Sequence, residues 1–157
     1  MMMKRLLLLL IMVVTSVIGV MAKGEKLPEY DITGPGSGSE GTLLVKVYVY
    51  AKKVTDSDLK RAAVHGVVFR GCSGNQSGAR QPAMAPATAE ADNAAFCDAF
   101  FASDGQCQNF ASVVDGSYDR VKTKKGYKCG AILQVDKTSL RKELEKAGVV
   151  RSLSSGF

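Results

Sequence analysis

Ten residues in the first third of the chain leave the backbone little choice. From Leu43 to Lys52, the residues Leu43, Val45, Val47, Val49 and Ala51 alternate with Leu44, Lys46, Tyr48, Tyr50 and Lys52. A strand turns successive side chains to opposite sides, so this pattern makes one apolar face and one tyrosine–lysine face. The β-branched and aromatic side chains suit a pleated surface. A half-buried strand cannot stand alone, so the chain must build a sheet with something packed on the apolar side.

The cover is legible downstream. Thr55-Asp56-Ser57-Asp58 offers an N-cap and first-turn acids, and Leu59, Ala62, Ala63, Gly66 and Val67 fall on one helical stripe that Gly71 closes. A second helix is predicted from about Glu90 to Ser103, with Phe96, Cys97, Phe100 and Phe101 on one side. Phe110 to Val114 is a short strand candidate. Tyr127 to Val135 is a second strong strand, with Tyr127, Cys129, Ala131, Leu133 and Val135 on one face. Asp136 or Thr138 caps a last helix running through Ala147, with Leu140 and Leu144 apolar and Gly148 at its end. Val149, Val150 and Leu153 are expected to return to the core. The expected class is α+β: a small mixed or antiparallel sheet, elements in the order β-α-α-β-β-α, with helices on one face.

Two stretches lack periodicity. Thr33-Gly34-Pro35-Gly36-Ser37-Gly38-Ser39-Glu40-Gly41 has linker composition, so residues 23–41 read as a Gly/Ser-rich linker. Residues 72–89 carry one charge, Arg80, and no aromatic, and read as a long mobile loop. Residues 42–157 then form a single domain.

The N-terminus predicts export. Met1-Met2-Met3-Lys4-Arg5 precedes an uncharged run from Leu6 to Ala22, the form of a secretory signal peptide over residues 1–22 with cleavage after Ala22. An uncleaved N-terminal anchor is the alternative, since the run of 17 residues reaches the short limit for a spanning helix. Membrane association is expected only in that case. Cleavage lowers the net charge from +6 to +4, because Lys4 and Arg5 leave with no acid. A basic protein in the periplasm or outside the cell meets an envelope protein or an anionic envelope polymer rather than nucleic acid.

Charge is also unevenly placed. Glu90, Asp92, Asp98, Asp104, Asp115 and Asp119 stand in a stretch without Lys or Arg, whereas residues 120–157 hold ten basic and three acidic side chains. The plainer expectation is that the two oppositely charged segments sit together in one fold as solvated faces. The sharper one is a basic binding face.

Four cysteines, Cys72, Cys97, Cys107 and Cys129, are an even set in an oxidising compartment and suggest two disulfides. Three connectivities are open, Cys97–Cys107 with Cys72–Cys129 among them. No Cys-x-x-Cys pair supports zinc, and no Asp-x-Asp-x-Asp-Gly loop supports calcium. No metal or cofactor is expected. His65, the one histidine, invites pairing with Cys72 as base and nucleophile, but seven residues is two helical turns, about 10 Å.

The segments Asp58-Leu59-Lys60-Arg61-Ala62-Ala63-Val64-His65-Gly66-Val67, Gly126-Tyr127-Lys128-Cys129-Gly130-Ala131-Ile132-Leu133-Gln134-Val135-Asp136 and Leu140-Arg141-Lys142-Glu143-Leu144-Glu145-Lys146-Ala147-Gly148-Val149 carry a resemblance. Together they resemble small exported proteins from Bacteroides-like bacteria. More remotely they are similar to α+β modules of envelope assembly lipoproteins of the curli-secretion and flagellar-assembly type. The chain departs from those lipoproteins in lacking a lipidated cysteine. The resemblance brings no catalytic residue and implies a scaffold or binding role.

The expectation is therefore an exported, non-enzymatic envelope or surface module that binds a protein. Arg120, Lys122, Lys124 and Lys125, with Tyr48 and Tyr50 on the open strand face, are its contact candidates. A small exported hydrolase using Cys72 or His65 near residues 72–89 is the rival, and a small-ligand carrier a third possibility.

Overall fold

The computed structural model describes residues 25–74 and 80–153. The expected signal peptide over residues 1–22, and its cleavage point, lie outside the described residues. The alternating segment forms strand β2 (Thr42–Tyr50), with every second residue buried. Strand β1 (Tyr30–Ser37) runs antiparallel along one side of it. Strand β7 (Gly126–Asp136) runs antiparallel along the other, with Val45 opposite Leu133 and Val47 opposite Ala131. The far edge of β7 is shared by β5 (Ala111–Val113) and β6 (Asp119–Thr123), both antiparallel to it. The sheet order is β1-β2-β7-β5, with β6 beside β5's end of the row. The class is α+β, and all the described strand pairings are antiparallel.

Helix α1 (Asp56–His65) starts where the sequence places it. The Thr55 hydroxyl accepts from the Asp58 N–H while the Asp58 carboxylate accepts from the Thr55 N–H, a reciprocal cap. A π-helical turn (Gly66–Arg70) follows and stops at Gly71. Helix α1 packs on β2, β7 and β5, so Leu59, Ala62 and Ala63 are buried. Arg61, Val64 and His65 are buried as well. The helix is covered on its outer side too, because the segment before β1 and the later helices lie there.

The second predicted helix is two: α2 (Ala89–Asp92) and α3 (Ala94–Phe100). Asn93 breaks it, its amide Nδ2 donating to the Ala89 carbonyl. A side chain that bonds the preceding turn competes with the helical ladder. Cys97, Phe100 and Phe101 are still buried together. Helix α4 (Lys137–Lys146) is capped by Asp136, whose carboxylate accepts from the Ser139 N–H, and Leu140 and Leu144 are fully buried. Val149 and Val150 return to the core. Leu153 does not; it is 70% exposed.

Two readings of irregular sequence need correction. Residues 23–41 are not simply a linker, because β1 lies within them. Its Tyr30-Asp31-Ile32-Thr33 start alternates, and the register slips between Thr33 and Gly36, where Gly34 sits at φ +139°. An edge strand tolerates a bulge of this kind. Residues 72–89 are not free along their described length. Strands β3 (Cys72–Ser73) and β4 (Arg80–Gln81) pair, and the Met84 and Ala85 N–H groups donate to the Val67 and Val68 carbonyls. Those bonds use carbonyls left open by the end of the preceding helix. Residues 75–79 of that stretch lie outside the described residues. Among the described residues no helix is long and apolar enough to cross a membrane.

Candidate functional site

The open side of the sheet is built by register. Tyr48 stands opposite Gly130 on β7, and Gly130 stands opposite Asp119 on β6. With no side chain at Gly130, the Tyr48 ring lies across β7 and its hydroxyl donates to Asp119 Oδ2 at 2.5 Å. A Cβ on Gly130 would come within 2.5 Å of Tyr48 Cδ1. The Tyr50 hydroxyl donates in the same way to Asp31 of β1 at 2.5 Å. Ammonium groups sit over the rings: Lys46 Nζ is 5.0 Å and Lys128 Nζ 4.5 Å from the Tyr48 centroid. Lys46 also pairs with Asp119 at 3.6 Å. The Tyr48 hydroxyl first, and Lys46 next, hold the Asp119 carboxyl below the usual carboxylate range.

The basic candidates occupy the β6–β7 hairpin, whose two-residue turn is Lys124-Lys125. The structure does not assemble all six contact candidates on one surface. Cross-strand partners share a face. Asp119 and Val121 fall on the Tyr48–Tyr50 side, whereas Arg120 pairs with Cys129 and Lys122 with Tyr127 on the opposite side. There the Arg120 guanidinium stacks 4.1 Å from the Tyr127 ring centroid. Lys124 and Lys125 lie at the tip between the two faces.

The acidic and basic segments lie in one fold, but among the described residues few ion pairs join them. Of the acids between Glu90 and Asp119, the contacts among the described residues use Glu90 with His65, as a hydrogen bond, and Asp119 with Lys46, as an ion pair. Arg141 and Lys146 pair within their own helix, with Glu145 and Glu143. Among the described residues, no ion pair involves Arg120, Lys122, Lys124, Lys125 or Lys128.

His65 belongs to a different place. It lines a cavity of about 970 Å³ between the segment Glu25–Tyr30 and the α2–α3 helices. Its Nδ1 lies 2.6 Å from the Tyr30 hydroxyl and its Nε2 2.9 Å from Glu90 Oε1. Burial, opposed by Arg70 and aided by Glu90, pushes the Tyr30 phenol well above its usual range. The Tyr30 hydroxyl and the Glu90 carboxylate thus engage both ring nitrogens of His65. This chain ties β1, α1 and α2 together. Sequence reasoning missed Tyr30 and Glu90, because three distant residues carry no local signal.

The cysteines are not bridged. Cys72, Cys97, Cys107 and Cys129 are all free thiols. Cys72 lies on the β3–β4 ribbon, which packs beside β1, while Cys129 is on β7, two strands further across the sheet. Cys97 sits by Glu90 and Asp98 at the cavity wall, whereas Cys107 is fully buried beside Arg61. Burial pushes the Cys72 thiol up, and it carries the Cys97 and Cys107 thiols to about 11. A thiol in that state is a poor nucleophile at neutral pH. Cys72 and His65 are not hydrogen-bonded to each other, and both His65 ring nitrogens are engaged elsewhere. Among the described residues no group of three His, Cys, Asp or Glu side chains is placed to hold a metal ion.

Arg61 is the buried cation that the sequence hides. Its Nε donates to the Phe101 carbonyl at 2.7 Å and its Nη2 to the Glu25 carbonyl at 3.0 Å, with Asp58 3.5 Å from Nη1. It moors the segment before β1 onto α1. A basic residue within a helix ordinarily reads as solvated, so nothing in the sequence marks it.

No protein-family model, no curated protein and no solved structure matches this chain.

Proposed function

We propose that this protein is an exported, non-enzymatic envelope or surface module that captures an acidic protein partner on its β6–β7 hairpin. One observation carries the reading: Arg120, Lys122, Lys124, Lys125 and Lys128 crowd one two-stranded ribbon, and no ion pair among the described residues engages them. Like charges held together repel, and an anionic partner relieves that repulsion. Tyr127 and the Tyr48–Tyr50 side add aromatic contact area on the two faces of the same region. The Lys4-Arg5 start, the apolar run after it and the resemblance to exported envelope modules support the location. The raised thiols favour this reading over a hydrolase using Cys72.

The test compares the chain from Lys23 onward with a variant carrying Ser at positions 120, 122, 124 and 125. Each is titrated with polyglutamate by calorimetry. The expected result is binding by the parent that weakens as salt rises, and loss of most of it in the variant. Equal binding by the two removes the hairpin from the reading. The intact mass of protein recovered from an exporting host tests the location, with a species starting at Lys23 expected.

A further inference from the structure

We propose that the partner adds to the sheet as a strand along the outer edge of β6, and that it is therefore an extended acidic polypeptide rather than an anionic polysaccharide or phosphate polymer. This rests on the hairpin reading above and goes beyond it to the mode of contact.

The first support is an open edge. Strand β6 pairs with β7 on one side, and among the described residues no strand pairs its other side. In an antiparallel ladder, alternate residues send their N–H and C=O groups to the partner, and the residues between send theirs outward. Counting back from the two-residue turn, Thr123, Val121 and Asp119 face Gly126, Lys128 and Gly130. Arg120 and Lys122 then present main-chain groups to the open side. The Arg120 N–H lies by the Asp119 carboxylate, so the Arg120 carbonyl and both main-chain groups of Lys122 are what the edge offers.

The second support is charge complementarity. The residues whose backbone faces outward are the ones whose side chains are cationic, and Lys124 and Lys125 extend the same charge around the tip. Basic side chains on an edge strand repel a second copy of themselves, which guards a sheet against self-pairing. The same side chains attract a strand that carries carboxylates at alternate positions. Val121, 37% exposed and turned to the opposite face, meets an apolar residue between those carboxylates.

The experiment uses the chain from Lys23 onward and a fluorescein-labelled ten-residue peptide alternating glutamate with valine, read by anisotropy. A second peptide has the same sequence with alternate amides N-methylated. N-methylation removes strand-pairing hydrogen bonds and leaves the charge intact. The expected result is binding of the first peptide, at least tenfold weaker binding of the second, and slowed amide exchange at Lys122 in the first complex alone. Equal affinity for both peptides overturns strand addition. So does failure of the first peptide to bind while polyglutamate still binds, and either outcome leaves the hairpin reading standing. If neither the peptide nor polyglutamate binds, both proposals fall.

Discussion

The two halves of β7 make opposite use of one backbone. In Ala131–Asp136 the side chains at Ala131, Leu133 and Val135 have no exposed surface, because β2 and β5 flank the strand and helix α1 lies on it. In Gly126–Gly130 the same face carries Tyr127, 44% exposed, and Cys129, with β6 as the outer neighbour. The alternation is continuous through both halves. Periodicity reports which way a side chain points; it does not report whether anything covers it. The covered half holds the fold together, and the bare half is free to carry charge.

The strongest way to break this comparison is to empty the covered half. Leu133→Ala should cost about 2 to 5 kcal/mol in urea unfolding, because it leaves a cavity under α1. Tyr127→Ala in the bare half should cost less than about 1 kcal/mol. Similar losses at both sites would mean that the hairpin is part of the core. Arg61→Met keeps the stem and removes the bonds to the Phe101 and Glu25 carbonyls. It should cost about 2 kcal/mol and speed proteolysis near Glu25. An unchanged cleavage rate would show that other contacts hold that segment.

Gly130→Ala probes the boundary between the halves. The new methyl collides with the Tyr48 ring and the Val47 carbonyl, so a loss of about 1 to 2 kcal/mol is expected, with Tyr48 displaced from Asp119. Pairing with Tyr48→Ala should recover part of that loss, and no recovery would place the clash elsewhere. Asp136→Ala removes the cap of α4 and should cost about 1 kcal/mol at neutral pH. The Ser139 side chain first, and its N–H next, lower the Asp136 carboxyl below its ordinary range. The folded form then binds its proton less readily than the unfolded one. The stabilisation is present above the ordinary carboxylate range and is lost as pH falls through the lowered value. The gap between parent and variant should close in acid, and a gap that persists there would rule out the charged cap. The smallest effect belongs to Ser at positions 120, 122, 124 and 125, each change shifting stability by less than about 0.5 kcal/mol.

Legibility followed the range of the interactions. Strand β2, the Thr55 cap, the Leu140–Leu144 face and the paired strand around Leu133 are local patterns, and each is visible in a window of a few residues. Strand β1 was hidden by Gly34-Pro35-Gly36, because a bulge at an edge lets a strand carry loop-like composition. The break at Asn93 needed one side chain to choose the Ala89 carbonyl over solvent. At the site, the basic residues were legible as a cluster, but their division between two faces depends on the β6–β7 register. Gly130 was the readable clue to that face, since glycine inside a strand marks a close approach. Tyr30, Arg61 and Glu90 act through partners far along the chain, and composition cannot show such partners.

The position of β7 in the chain has a kinetic consequence. It is the strand that joins β2, β5 and β6, and its partners Val45 and Leu133 stand 88 residues apart. The sheet cannot close until nearly the whole chain is available, and contacts of such separation form slowly because a long loop must be ordered first. The β6–β7 hairpin closes across only Lys124 and Lys125, so the edge strand pairs locally while the rest of the sheet waits for contacts far along the chain.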